Sequence, residues 1–121
     1  MRQLRILIVD DDAVLSDVLA ETLVSMGHVV CGIESTESGA VETAARALPD
    51  VLLVDVGLRA GSGVGAVEQI RHSRPVPYIM MSGDPTDPRT IGLQKPFKQA
   101  DLTRALELAL AGPPVSQTGT T

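Results

Sequence analysis

The chain has 121 residues and a formal net charge of −5: room for one buried core, none for a second, and so none for an effector domain beside it. The acidic balance argues against direct nucleic-acid binding, which needs clustered Lys and Arg against the phosphate backbone, and favours a protein partner or a small ligand. A single cysteine excludes an internal disulfide, and Cys31, set within the apolar run 29–33, is expected as a buried and inert thiol.

The first apolar run, residues 4–9, predicts a strand. Three aspartates cut it short, so it is not the core of a signal peptide; no stretch approaches membrane-spanning length, and a cytoplasmic protein is expected. Residues 13–26 read as a helix with Val14, Leu15, Val18, Leu19 and Leu23 on one stripe and Gly27 as its stop. A strand is predicted at 29–33, a helix at about 36–48 ending before Pro49, and a strand at 51–56. A third helix, about 63–72, turns Val64, Val67 and Ile70 inward, and a fourth strand at 78–81 follows Pro75 and Pro77. A short fifth strand near 91–94 precedes a last helix at about 99–111, with Leu102, Leu106 and Leu110 on its buried side. The tail GPPVSQTGTT, residues 112–121, is small, polar and proline-bearing, and is expected to be disordered after a domain of residues 1–111.

Strands alternating with helical segments predict βαβ units and a parallel sheet. Between the fourth and fifth strands the pattern breaks. The nine residues SGDPTDPRT, 82–90, hold Pro85 and Pro88, whereas a parallel crossover with its helix needs at least ~10 residues. Each proline costs a helix interior about 3 kcal/mol. A mobile loop is expected there in place of a helix.

Polar anchors stand at the ends of four apolar runs: Asp10, Asp11 and Asp12 after the first, Asp55 after the third, Ser82 after the fourth and Lys95 after the fifth. In an open parallel sheet the ligand site lies outside the carboxyl ends of the strands, so all of these residues converge on one edge. Two carboxylates about 4 Å apart repel by ~4 kcal/mol at an effective dielectric near 20. A divalent cation relieves that repulsion, and an all-oxygen site suits Mg²⁺. Asp12 has a plainer task as the cap of the first helix. Asp55, ending the run VLLV, would be desolvated without a partner. His28 and His72 lie away from this edge and read as ordinary surface histidines.

The segments RILIVDDD, PDVLLVDVGLRAGSG, YIMMSG and KPF together resemble the receiver domain of two-component response regulators over about residues 4–111. The resemblance implies a flavodoxin-like, doubly wound α/β fold with a five-stranded parallel sheet in the order 2-1-3-4-5. It also implies that Asp55 accepts a phosphoryl group from a histidine kinase or a histidine phosphotransfer protein, and passes the signal to a downstream protein. Asp11, Asp55 and the backbone carbonyl of Gly57 would then bind Mg²⁺ directly and Asp10 through a water, while Lys95, the Ser82 hydroxyl and the Gly83 N–H would hold the phosphoryl oxygens. Gly63, eight residues past Asp55, matches the glycine that begins the third helix. No activity is implied beyond the domain's own phosphorylation and dephosphorylation, and neither nucleic acid nor membrane as a partner.

The chain departs from the family in four places. Gly57 stands where a polar residue is usual, Arg59 where proline is usual, and Gly92 where a Tyr or Phe ring usually answers the residue at Ser82. The helix between the fourth and fifth strands is shortened or replaced by a loop. In this the chain loosely resembles a subgroup of stand-alone receivers, often paired with less common kinase types, and rearrangement of the loop itself would carry the signal.

Two rival readings use the same residues. A phosphatase of the haloacid dehalogenase type would use Asp10, Asp12, Ser82 and Lys95, but it needs an acidic motif on a later strand. Only Asp101 and Glu107 follow, both within the predicted last helix, and Asp55 would have no task. A receiver-like module that binds partners without phosphorylation is favoured by Gly92 and the missing helix, and disfavoured by the complete acidic set.

Overall fold

The computed structural model describes residues 2–81 and 98–111. The chain order is β1 (Arg5–Val9), α1 (Ala13–Ser25), β2 (Val29–Glu34), α2 (Glu37–Ala47), β3 (Val51–Asp55), α3 (Gly63–Ser73), β4 (Tyr78–Met81) and α4 (Gln99–Leu110). The strands form a parallel sheet in the order β2-β1-β3-β4. This matches the expected α/β architecture through its fourth strand; the expected fifth strand, the loop at 82–90, Gly92 and the tail at 112–121 lie outside the described residues.

The apolar runs in β1, β3 and β4 are continuous because both faces of those strands are covered. Ile6, Ile8, Val51, Leu53, Ile79 and Met81 turn to one side, where Leu19 and Leu23 of α1 and Leu102, Ala105 and Leu106 of α4 complete a core. Leu7, Val9, Leu52, Val54 and Met80 turn to the other, against Ala40 and Ala44 of α2 and Ala66, Val67 and Ile70 of α3. The period-two alternation of strand side chains thus sorts one apolar run into two cores.

Helix boundaries follow from side-chain chemistry. Oxygens of Asp12, Thr36 and Ser62 accept the backbone N–H three residues on and cap α1, α2 and α3. At the end of α1, Gly27 takes a φ of 95°. Its N–H reaches the Val24 carbonyl at 2.9 Å and that of His28 reaches Leu23 at 3.0 Å, the paired bonds of a Schellman stop. Among the described residues no helix is long and apolar enough to cross a membrane.

Four details of the sequence reading are corrected. Val14 and Val18 are 74% and 54% exposed, and α1 instead buries Ser16, Leu19 and Leu23. Apolar residues occupy two adjoining faces of this helix, so periodicity alone does not choose between them. Cys31 is half-buried, not buried, because β2 flanks only β1; partial burial still raises its thiol pKa and keeps it protonated. Leu110 sits half-buried at the margin of the first core.

The fourth correction is His28, expected at the surface: it is buried, because its Nδ1 accepts the Leu4 N–H at 3.1 Å where β2 begins beside β1. Only the neutral imidazole can accept there, and burial pushes the His28 pKa below its ordinary 6.5. A pKa depressed on folding contributes stability that is present above 6.5 and is lost as pH falls through the folded-state value. Urea unfolding below pH 6.5 should therefore show a loss of stability that His28→Gln, whose amide oxygen can take the same N–H, largely removes. The same pH profile in both proteins would refute this role.

Candidate functional site at the carboxyl ends of β1 and β3

The parallel register that sets Val9 beside Val54 brings the next residues, Asp10 and Asp55, to adjacent strand ends. Oxygens of Asp10, Asp11 and Asp55 lie within 4.8 Å of one another. Asp10 is buried and the other two are half-buried. The three consecutive aspartates divide their work. Asp10 Oδ1 accepts the Asp12 N–H at 2.9 Å, bracing the turn. Asp12 Oδ1 accepts the Leu15 N–H at 3.0 Å and caps α1, leaving Asp11 to join Asp10 and Asp55.

Three carboxylates this close, one of them buried, form a hard, all-oxygen donor set that fits Mg²⁺ with waters completing its shell. The cation would offset the mutual repulsion of the acids, a cost of several kcal/mol at such separations. Next to the cluster, the Gly57 N–H lies 3.4 Å from Asp55 Oδ1. Ser82, Gly83 and Lys95, the other predicted members of the site, lie outside the described residues.

The loop from 56 to 62 closes over the end of β3. Gly57 bridges Ser62 in antiparallel fashion, Ala60 bridges Thr36 in parallel fashion, and the Gly63 N–H donates to the Val56 carbonyl at 3.1 Å. Gly63 has no alternative here, because a Cβ at this position would overlap the backbone carbonyl oxygen of Asp55. The start of α3 is thus pressed directly against the strand end that carries the acid.

One contact had no signal in the sequence. The Glu37 carboxylate, in the first turn of α2, accepts the Ser62 N–H at 2.9 Å across 25 residues of chain. Neither residue sits in a pattern that would pair them.

A doubly wound parallel sheet with an acidic cluster where its two central strands end defines a receiver-type signalling domain. The chain belongs to the response regulator receiver domain family, whose family model matches residues 6–107. It is 32% identical over 116 residues to the transcriptional regulatory protein PdtaR of Mycobacterium tuberculosis, a match that covers 88% of this chain and 57% of that protein. Among solved structures it is similar to the receiver domain of the Erythrobacter litoralis PhyR response regulator, with a TM-score of 0.79, 27% identity, and coverage of 91% of this chain and 92% of that one. Similarity to the PhyR response regulator of Brucella abortus has the same TM-score of 0.79 at 25% identity, covering 98% of this chain and 54% of that one. The chain thus spans little more than half the length of PdtaR and of the Brucella abortus PhyR.

Replacing Gly63 by alanine should destabilise the domain by about 1–3 kcal/mol, the usual range for overpacking a filled site. Chemical denaturation of the two proteins checks this. Wild-type stability in Gly63→Ala would mean that α3 can withdraw from Asp55 without cost.

Proposed function

We propose that this domain accepts a phosphoryl group on Asp55, in the presence of Mg²⁺, from a histidine kinase or a histidine phosphotransfer protein, and relays the signal to a downstream protein. The observation that carries this reading is the convergence of Asp10, Asp11 and Asp55 within 4.8 Å at the ends of the two central strands. It gives Asp55 a task, which a phosphatase of the haloacid dehalogenase type would not.

In the proposed reaction an Asp55 carboxylate oxygen attacks the phosphorus of a phosphohistidine. The new O–P bond forms as the P–N bond breaks in line, and the imidazole leaves and takes up a proton. Asp11, Asp55 and the Gly57 carbonyl would hold Mg²⁺, with Asp10 acting through a water. The ion, when bound, neutralises charge on the phosphoryl oxygens. Lys95, the Ser82 hydroxyl and the Gly83 N–H are assigned to the remaining oxygens from the sequence resemblance. The net charge of −5 supports a protein partner over nucleic acid, and the proposed compartment is the cytoplasm. The domain would catalyse only its own phosphorylation and dephosphorylation.

Intact mass spectrometry after incubation with acetyl phosphate and Mg²⁺ should show one added phosphoryl group. It should be missing after chelation and missing in Asp55→Asn, with circular dichroism showing that the variant is folded. An undiminished mass gain in a folded Asp55→Asn protein would overturn the assignment.

Metal binding separates the aspartates further. Asp11→Ala should weaken Mg²⁺ binding by at least about tenfold, the lower range for losing even an outer partner of a metal ligand. Asp12→Ala should instead cost about 1 kcal/mol of stability through the lost helix cap and bind Mg²⁺ nearly as wild type. Calorimetry or amide NMR shifts would measure both, since the chain has no tryptophan. Equal losses of affinity would contradict the division of roles.

A further inference from the structure

We infer that Glu37 is a positioning residue that latches the loop at 56–62 to α2 and thereby holds the Gly57 carbonyl in place for the metal. The part concerning the metal rests on the function proposed above; the latch itself rests on geometry alone.

The loop is anchored at its start, where Val56 and Leu58 pack against the second core and the Val56 N–H donates to the Met81 carbonyl at 3.1 Å, whereas residues 59–61 are exposed. Its sequence, VGLRAGS, contains no proline and two glycines, each able to visit backbone conformations closed to other residues. Gly57 has no side chain by which it could be held, and a Cβ built there would meet nothing within 4 Å. Gly61 already uses its freedom, with a φ of 83°. Beyond its anchored neighbours, the Gly57 peptide is held through its bridge to Ser62.

Glu37 supplies that constraint from three directions. Its backbone N–H donates to the Ala60 carbonyl at 3.0 Å. One oxygen of its carboxylate accepts the Ser62 N–H at 2.9 Å, and the other accepts from the Gln69 side-chain amide on α3. The carboxylate also fills the space beside two glycines: a Cβ on Gly61 would come to 2.6 Å from its Oε1, and one on Gly65 to 2.7 Å from both oxygens. The loop and α3 are built around this side chain.

From there the constraint passes to the cluster along the backbone of the loop. Ser62, held by Glu37, is bridged to Gly57, and the Gly57 N–H faces Asp55 Oδ1. A carboxylate accepting from N–H donors makes stronger bonds than a neutral acceptor would, so one ionised side chain can order a short loop. Its partial replacement by an amide, which keeps one acceptor oxygen, should retain part of the effect.

The test compares wild type, Glu37→Ala, Glu37→Gln and a control, Val30→Ala, which removes a partly buried side chain from the other core. All are measured as the intact chain at a temperature where circular dichroism shows each folded. Amide hydrogen exchange should quicken by about tenfold or more at Gly57 and Ser62 in Glu37→Ala, as expected when roughly 1.4 kcal/mol of local order is lost. It should quicken less in Glu37→Gln and stay unchanged there in Val30→Ala. Mg²⁺ affinity, measured by calorimetry, should fall about tenfold in Glu37→Ala, the low end for groups that orient metal ligands, recover in part in Glu37→Gln, and remain at the wild-type value in Val30→Ala.

Unchanged exchange at Gly57 and Ser62 in Glu37→Ala would overturn the latch. Faster exchange with unchanged Mg²⁺ affinity would overturn its link to the metal. If wild type itself binds no Mg²⁺ at millimolar concentration, the metal reading fails, and the exchange data still decide whether Glu37 holds the loop.

Discussion

Parallel pairing of β1 with β3 is the constraint on which the rest depends. The register that matches Ile6 to Val51 and Val9 to Val54 does two things at once. It splits two apolar runs between the cores on either face of the sheet, and it sets two acid-bearing strand ends side by side. A slip of one residue would turn every core side chain to the wrong face, so hydrophobic burial fixes the register and the register fixes the spacing of Asp10 and Asp55. The apolar core supplies the free energy that offsets the repulsion among the acids; the site is strained in charge because the fold around it is not strained in packing.

Much of this was legible in the sequence because the signals were local and redundant. The runs ILIV and VLLV end in aspartate, and an apolar run that ends in a charge has one sensible place in a parallel sheet, its carboxyl edge. The caps at Asp12 and the stop at Gly27 were readable for the same reason, since each acts within a few residues of itself. The face of α1 was not legible. Val14 and Val18 are as apolar as Leu19 and Leu23, and only docking onto the sheet decides that Ser16 goes in and the valines stay out. Ser16 Oγ is buried with no hydrogen-bond partner among the described residues, a choice that hydrophobicity alone would never suggest.

His28 and Glu37 escaped the sequence reading for a related reason. Each is polar and each is defined by a partner far along the chain: Leu4, 24 residues away from His28, and Ser62, 25 residues away from Glu37. A polar residue with a distant partner looks like any solvated residue until the chain is folded. Glycine was easier to place than to explain. Gly63 could be matched by its position, but the reason only glycine serves there, contact with the Asp55 carbonyl, is a three-dimensional fact.

The pairing of β1 with β3 also has a consequence in time. The Arg5 N–H and the Asp50 carboxylate that meet at the start of these strands are 45 residues apart, and the two strands are separated by two helices and a strand that also pairs with β1. During synthesis the amino-terminal aspartates leave the ribosome long before Asp55 exists to join them. Closing so long a loop is slow relative to local helix formation, so α1 and its capping aspartate can form early while the acidic cluster is assembled only when β3 docks. The charge repulsion at the site is therefore met late, after apolar contacts able to hold it have begun to form, and a nascent chain stopped short of β3 carries the aspartates of β1 without the geometry that makes them a site.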